Sequence, residues 1–346
     1  MKKFFMFAAM ASVALVSCVK NEPVATIEQG EAITFDVPVV GVPTKVAELT
    51  GTDYPTNRPF HVYAYYTEEG TDYTGTGEKY MDAVATYQSA DPVCYSPGNY
   101  YWPKTGDLSF FAYSPSSVGA TETAGKITFD YTVDTDPTKH VDLLYSDWAI
   151  DKTSVNNATN VGANLYNGIQ LAFNHAMSVV KFNFKGTSAD VAANIQITSV
   201  QLQNVLTAGT LTCDYDADPK AAWSDQDVKG NFNLLVTTPY QLEETDSEID
   251  TDVYNLILLP QTLPGDAKLV VSYNIKNQVD DSWIPQTAAE IELNTATVDS
   301  VPLASWAMNT KYTYNVVFDL NKVYFAPAVV EYISETVVPT IPNEVL

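Results

Sequence analysis

Basic residues are scarce in this chain. Lysine and arginine together number 18 against 42 aspartates and glutamates, a formal net charge of −24, and arginine occurs only as Arg58. A surface of that sign repels phosphate backbones and anionic headgroups, so nucleic acid is excluded as a partner. Histidine is also rare. His61, His140 and His175 lie far apart in sequence, and none has a second ligand at zinc-finger or zincin spacing, so no metal site is expected. No Ser-His-Asp order, glycine-rich phosphate loop or paired-carboxylate placement stands out from the acidic background, so the chain reads as no enzyme and as needing no cofactor. Beyond Cys18 the only cysteines are Cys94 and Cys213, assigned below to different domains. They write no disulfide framework, and each reads as a small buried hydrophobe.

What is present begins at the N-terminus. An apolar run from Phe4 to Val16 follows Lys2 and Lys3 and closes on Leu15-Val16-Ser17-Cys18. A basic start, a short apolar region and small residues before a cysteine make a lipoprotein signal over residues 1–17, with Cys18 as the lipidated residue and the outer membrane as destination. The run is shorter than the roughly 20 residues that cross a bilayer as a permanent helix. What remains after its removal exceeds the size at which single cores usually stop growing, which favours two domains.

Valine, threonine, tyrosine and phenylalanine then recur in short runs separated by Gly, Pro, Asn and Asp, and no long amphipathic helical window interrupts them. Ile33, Phe35, Val37 and Val39 alternate with polar residues and Pro38, as Phe60, Val62, Ala64 and Tyr66 alternate with His61, Tyr63 and Tyr65. Further strands are predicted at 108–113, 126–133, 171–184, 195–202, 232–236, 254–259, 268–275, 288–293 and 311–320. The fold class is all-β, built of sandwiches. A polar, turn-rich stretch at 152–168 divides an N-terminal domain, 46–160, from a C-terminal domain, 161–325. The tail, 326–346, carries Pro327, Pro339 and Pro342 among β-prone residues and reads as an unattached strand.

Several segments in order resemble the fimbrillin family of Bacteroidales, the subunits of type V pili and their lipoprotein precursors. They are Ile33-Thr34-Phe35, Pro43-Thr44-Lys45-Val46, Phe60-His61-Val62-Tyr63-Ala64-Tyr65-Tyr66, Tyr100-Tyr101-Trp102-Pro103 and Leu108-Ser109-Phe110-Phe111-Ala112-Tyr113. Asp142-Leu143-Leu144-Tyr145, Leu171-Ala172-Phe173-Asn174-His175-Ala176-Met177-Ser178, Leu258-Leu259-Pro260-Gln261-Thr262 and Trp306-Ala307-Met308-Asn309-Thr310-Lys311-Tyr312 continue the series. The resemblance implies two tandem transthyretin-like sandwiches, and cutting by a trypsin-like protease after the first strand. It also implies head-to-tail polymerisation in which a neighbour's C-terminal segment fills the vacated groove.

On these residues the released propeptide is 18–45, with Ile33, Phe35, Val37 and Val39 as its inward face and Lys45-Val46 as the cut. The family often carries arginine there, but Arg58 precedes Pro59 and makes a poor substrate, so Lys45 is the better candidate. The donor strand would use Val330, Tyr332 and Val338, or in the other register Val329, Ile333 and Val337; the two registers stay open. The partners are then other copies of the chain or related pilus subunits, the outer membrane through Cys18 before processing, and a host or bacterial surface ligand. The alternatives are a lipid-anchored glycan-binding protein using Tyr63, Tyr65, Tyr100, Tyr101 and Trp102, and an uncleaved anchor or tip subunit. Asp214, Asp216 and Asp218, with Asp134 and Asp136, lack the glycine and distal glutamate of a calcium loop and read as solvated turns. His175 reads as a hydrogen-bonded structural histidine.

Overall fold

The computed structural model describes residues 31–36, 38–40, 54–89, 94–123, 125–154, 168–234, 239–242, 256–295, 297–298, 301–319, 323–331 and 343–344. Among the described residues nearly all of the regular structure is β, with one short α-helix, Ala189–Ala193, capped by the Ser188 side chain, and single 3-10 turns at Pro137–Lys139 and Leu293–Thr295. Four larger sheets carry the architecture. The first runs in the spatial order Val39–Val40, Ala172–His175, Leu144–Ser146, Asp107–Ser114, Phe60–Thr67, Glu78–Gln88 and Cys94–Ser96, with Ala149–Lys152 also paired to Asp107–Ser114. A four-stranded sheet follows the order Ala221–Ser224, Ala208–Asp214, Lys126–Thr132 and Thr121–Thr123.

The alternation of Phe60–Thr67 and Asp107–Ser114 explains why the first sheet is covered on both sides. Phe60, Val62, Ala64, Leu108, Phe110 and Ala112 point into one core with Met81, Tyr95, Trp102 and Phe173. Tyr63, Tyr65, Phe111 and Tyr113 point into another, where Ile127, Phe129, Leu211 and Cys213 of the four-stranded sheet meet them. Period two sends successive side chains to opposite faces, and along these two strands both faces are largely buried.

The other two sheets make the second sandwich. One has the order Leu256–Leu258, Ser178–Gly186, Thr310–Phe318, Val323–Glu331 and Asn343–Glu344. The other centres on Ile195–Leu206 and Lys268–Lys276, flanked by Lys229–Asn233 and Trp283–Pro285, with Tyr240–Gln241 and Ala289–Glu292 as short additions. Phe182, Phe184, Tyr314, Val316 and Phe318 pack against Ile195, Ile197, Val200, Leu202, Leu269 and Val271.

The two halves share sheets. Ala172–His175 completes the first sheet, and Ala208–Asp214 pairs with Lys126–Thr132 from Ala208 opposite Thr132 to Asp214 opposite Lys126. A cut at 160/161 therefore divides two sheets rather than falling between them. The chain passes from the first sheet to the second sandwich at Ala176-Met177. There the Ala176 N–H donates to the Leu143 carbonyl (2.8 Å) and the Trp223 indole to the Ala176 carbonyl (2.7 Å).

Candidate assembly site

The N-terminal segment is held as a middle strand is held. On one flank the Trp102 N–H donates to the Glu31 carbonyl and the Ile33 N–H to the Tyr100 carbonyl, both at 2.9 Å, while Phe35 and Tyr95 exchange backbone bonds of 2.9 and 2.8 Å. On the other the Ile169 N–H donates to the Thr34 carbonyl (2.9 Å) and the Asp36 N–H to the Ile169 carbonyl (3.0 Å). The first flank is antiparallel and the second parallel. Alternation sends Ile33 and Phe35 inward, where both are fully buried. The Phe35 ring meets Phe60 and Phe110 edge-on with centroids 5.6 Å away in each case.

Past Asp36 the strict period breaks. Pro38 and Val40 are buried, although Val40 belongs to the opposite face of the predicted strand. Pro38 has no N–H for a ladder, and its carbonyl accepts instead from the Tyr54 N–H (3.0 Å), so the chain bends before Val39–Val40 resumes as the parallel neighbour of Ala172–His175. Val37 and the side chain of Val39 lie outside the described residues.

Two residues that sequence reasoning passed over shape the slot. Gly168 has φ +135°, and a Cβ placed there would stand 2.3 Å from the Thr34 carbonyl oxygen, so only glycine lets the segment approach. Tyr54 is buried against Tyr95, Phe60 and Phe173, stacking on the last at 5.3 Å, and its hydroxyl bonds to Ser114 Oγ. Burial pushes that phenol up to about 12. The available signal was position: Tyr54 is the first aromatic residue after the stretch that carries Lys45.

At the other end of the chain, Val323–Glu331 pairs antiparallel with Thr310–Phe318 along its whole length, Val329 opposite Tyr312 and Val330 opposite Lys311. Thr310–Phe318 itself runs parallel to Ser178–Gly186. The expectation of an unattached tail from Ala326 is therefore corrected as far as Glu331. Without this strand Thr310–Phe318 would present a long row of unpaired backbone groups, and an adjacent segment rich in β-formers covers it. Among the described residues the outer side of Val323–Glu331 is paired only at Tyr324 and Phe325, by Asn343–Glu344. An edge position is also where Pro327 is tolerated. Cys18, Lys45, Val46, Tyr332, Ile333, Val337 and Val338 lie outside the described residues.

The sites set aside on sequence resolve into structural contacts. His175 ends its strand buried, with Nδ1 3.0 Å from Asp142 Oδ1 and 2.9 Å from Oδ2, while Arg58 donates to the Asp142 carbonyl. Asp214 accepts from the Asp216 N–H (3.0 Å) and pairs with Lys126 (3.2 Å). Cys94 and Cys213 are free and buried, and burial raises both thiols above their ordinary range. Tyr63 and Tyr65 sit in one core and Trp102 in the other, so the aromatic set considered for sugar binding is not one exposed face.

A sequence model of fimbrillin-like proteins matches residues 44–331. The chain belongs to the fimbrillin-like family. Solved structures similar to this fimbrillin-like chain include a fimbrial protein from Bacteroides vulgatus, 18% identical, with 86% of this chain and 99% of that one covered at a TM-score of 0.57. Proteins described as proposed cell adhesion proteins from Bacteroides ovatus and Bacteroides uniformis are each 16% identical. They cover 89% and 87% of this chain and 99% and 97% of their own, with TM-scores of 0.53 and 0.51. These likenesses carry the all-β sandwich fold. Among curated proteins, none matches.

Proposed function

We propose that this fimbrillin-like protein is a structural subunit, of the stalk class, in a surface pilus that serves adhesion. It would be exported as a lipoprotein through Cys18, cut between Lys45 and Val46, and joined to its neighbours by strand exchange. The observation that carries the reading is the seating of residues 31–36 between two flanks with Ile33 and Phe35 buried. Once the chain is cut, such a segment is held by noncovalent bonds alone, and its loss leaves an apolar slot bordered by two rows of unpaired backbone groups. A strand of similar pattern from another copy satisfies both. The donor, drawn from Val329, Val330, Tyr332, Ile333, Val337 and Val338, must first part from Thr310–Phe318 over its Ala326–Glu331 portion. That requirement, together with the uncut first strand, keeps the precursor monomeric. The contact is head to tail and does not close, so it extends a filament.

The test is limited trypsin digestion of the 18–346 form, followed by gel filtration, electron microscopy and N-terminal sequencing, with a chain lacking 326–346 in parallel. Filaments of material beginning at Val46, and none from the truncated chain, are expected. Polymerisation of the uncut 18–346 form, or filaments from the truncated chain, would overturn the proposal.

A further inference from the structure

Away from both chain ends, Trp148 forms one wall of a cleft of about 250 Å³ lined also by Phe111, Tyr145, Asp147, Tyr215 and Lys220. A second cleft of about 300 Å³ shares Asp147, Trp148 and Ile150 with it. The indole is fixed rather than loose. Its ring stacks on Tyr73 (5.6 Å) and packs on Phe111 (5.0 Å), while Tyr215 stands edge-on to it (5.8 Å) and Lys220 lies over the Tyr215 ring at 4.4 Å.

Several of the polar tips around this aromatic surface are spare, while the Lys220 amine already donates one proton to the Tyr215 carbonyl. Among the described residues no group bonds to the Trp148 indole N–H or to the Tyr145 and Tyr215 hydroxyls, and burial pushes the Tyr145 phenol up to about 12. Asp147 holds the Asn174 amide at 2.8 Å and keeps its second oxygen for another donor.

We infer that this cleft is a saccharide-binding site for a neutral oligosaccharide, with one ring in each cleft on either side of Trp148. A sugar offers a flat C–H face to the aromatic wall, and at its rim hydroxyls that both donate and accept. That matches two phenols, one indole N–H, one carboxylate and one amine. An apolar side chain in the same space would leave the phenols and the indole N–H unpaired beneath it, at a cost for each. Each cleft is smaller than, or at the lower edge of, the roughly 300 to 1,000 Å³ of drug-sized sites, which fits one ring apiece. Asp147 and the net charge of −24 act against an acidic sugar. This site does not depend on pilus assembly, because the uncut monomer already contains it.

The test uses the monomeric 18–346 chain on a printed array of neutral and sialylated glycans, then calorimetry with the best neutral oligosaccharide. Tyr145→Phe removes only a hydroxyl that bonds to no described residue and is expected to weaken binding roughly three- to tenfold with the melting temperature unchanged. Asp147→Ala, at an exposed position, should weaken it by about tenfold or more. Absence of any neutral glycan signal, preference for sialylated glycans, or undiminished binding in both variants would overturn the assignment.

Discussion

Replacing Phe35 by alanine probes the N-terminal slot most directly. The ring is fully buried and lies edge-on between Phe60 and Phe110, which belong to adjacent strands of one sheet and have little freedom to collapse into the gap. Buried Phe→Ala changes cost about 3–5 kcal/mol, transfer and cavity together. In the intact chain part of that loss is masked, because residues 31–40 stay tethered and local detachment competes with global unfolding. After a cut at Lys45 the tether is gone and the whole loss falls on the affinity of the 18–45 peptide for the body. At about 1.4 kcal/mol per decade the dissociation constant should rise between about 100-fold and several thousand-fold. A fluorophore on the peptide and dilution into excess unlabelled peptide would measure this, with Glu31→Ala at the exposed rim as the control expected to change little. If Phe35→Ala altered dissociation less than threefold, the side chain would not occupy in solution the pocket described here, and the slot argument would fail.

Gly168→Ala should loosen the same segment by driving a methyl group onto the Thr34 carbonyl, so that hydrogen exchange at Ile33, Phe35 and Ile169 speeds up while the second sandwich is unaffected; unchanged exchange would refute the close approach. Lys45→Ala is expected to abolish trypsin-like processing and filament growth together, and processed filaments from that variant would remove Lys45 from the scheme. His140 supplies a pH dependence. Its Nδ1 accepts from the Ile257 N–H (3.1 Å), its Nε2–H donates to the Asp134 carbonyl (2.9 Å), and burial holds it below its ordinary value of 6.5. As pH falls through 6.5 the unfolded chain therefore takes up the proton before the folded one, and the His140 contribution to stability declines from pH 7 toward pH 5. His140→Asn keeps an acceptor for the Ile257 N–H without a titrating group and should flatten that part of the slope in urea midpoints; an identical slope in the variant would contradict the assignment.

Strand positions were legible wherever apolar alternation was strong, as at Phe60–Thr67, Asp107–Ser114 and Thr310–Phe318. The predicted single run at 171–184 is two strands in two sheets, Ala172–His175 and Ser178–Gly186. Both bury apolar residues, so period alone does not reveal the change of sheet at Ala176-Met177. Glu78–Gln88 was missed because only Met81 and Ala85 are buried in it; neighbouring strands hold it, not its own hydrophobicity. Ala208–Asp214 escaped for a similar reason, with a glycine, an alanine and two threonines diluting Leu211 and Cys213. At the candidate assembly site Ile33 and Phe35 could be read from their spacing. Gly168, Tyr54 and Ile169 could not, because their roles arise from approach across the fold.

The side-by-side pairing of Ala208–Asp214 with Lys126–Thr132 has a mechanical consequence. Two bodies joined only at Ala176-Met177 would swing like beads on a thread. Here Ala208–Asp214 is built into the first sandwich, rung by rung from Ala208 opposite Thr132 to Asp214 opposite Lys126, so the chain crosses between the bodies again at Leu206–Ala208 and at Ser224–Lys229, and a swing has to bend all of these crossings at once. Bending stiffness is thus built into each unit, and in a fibre of such units compliance would concentrate at the joints between them.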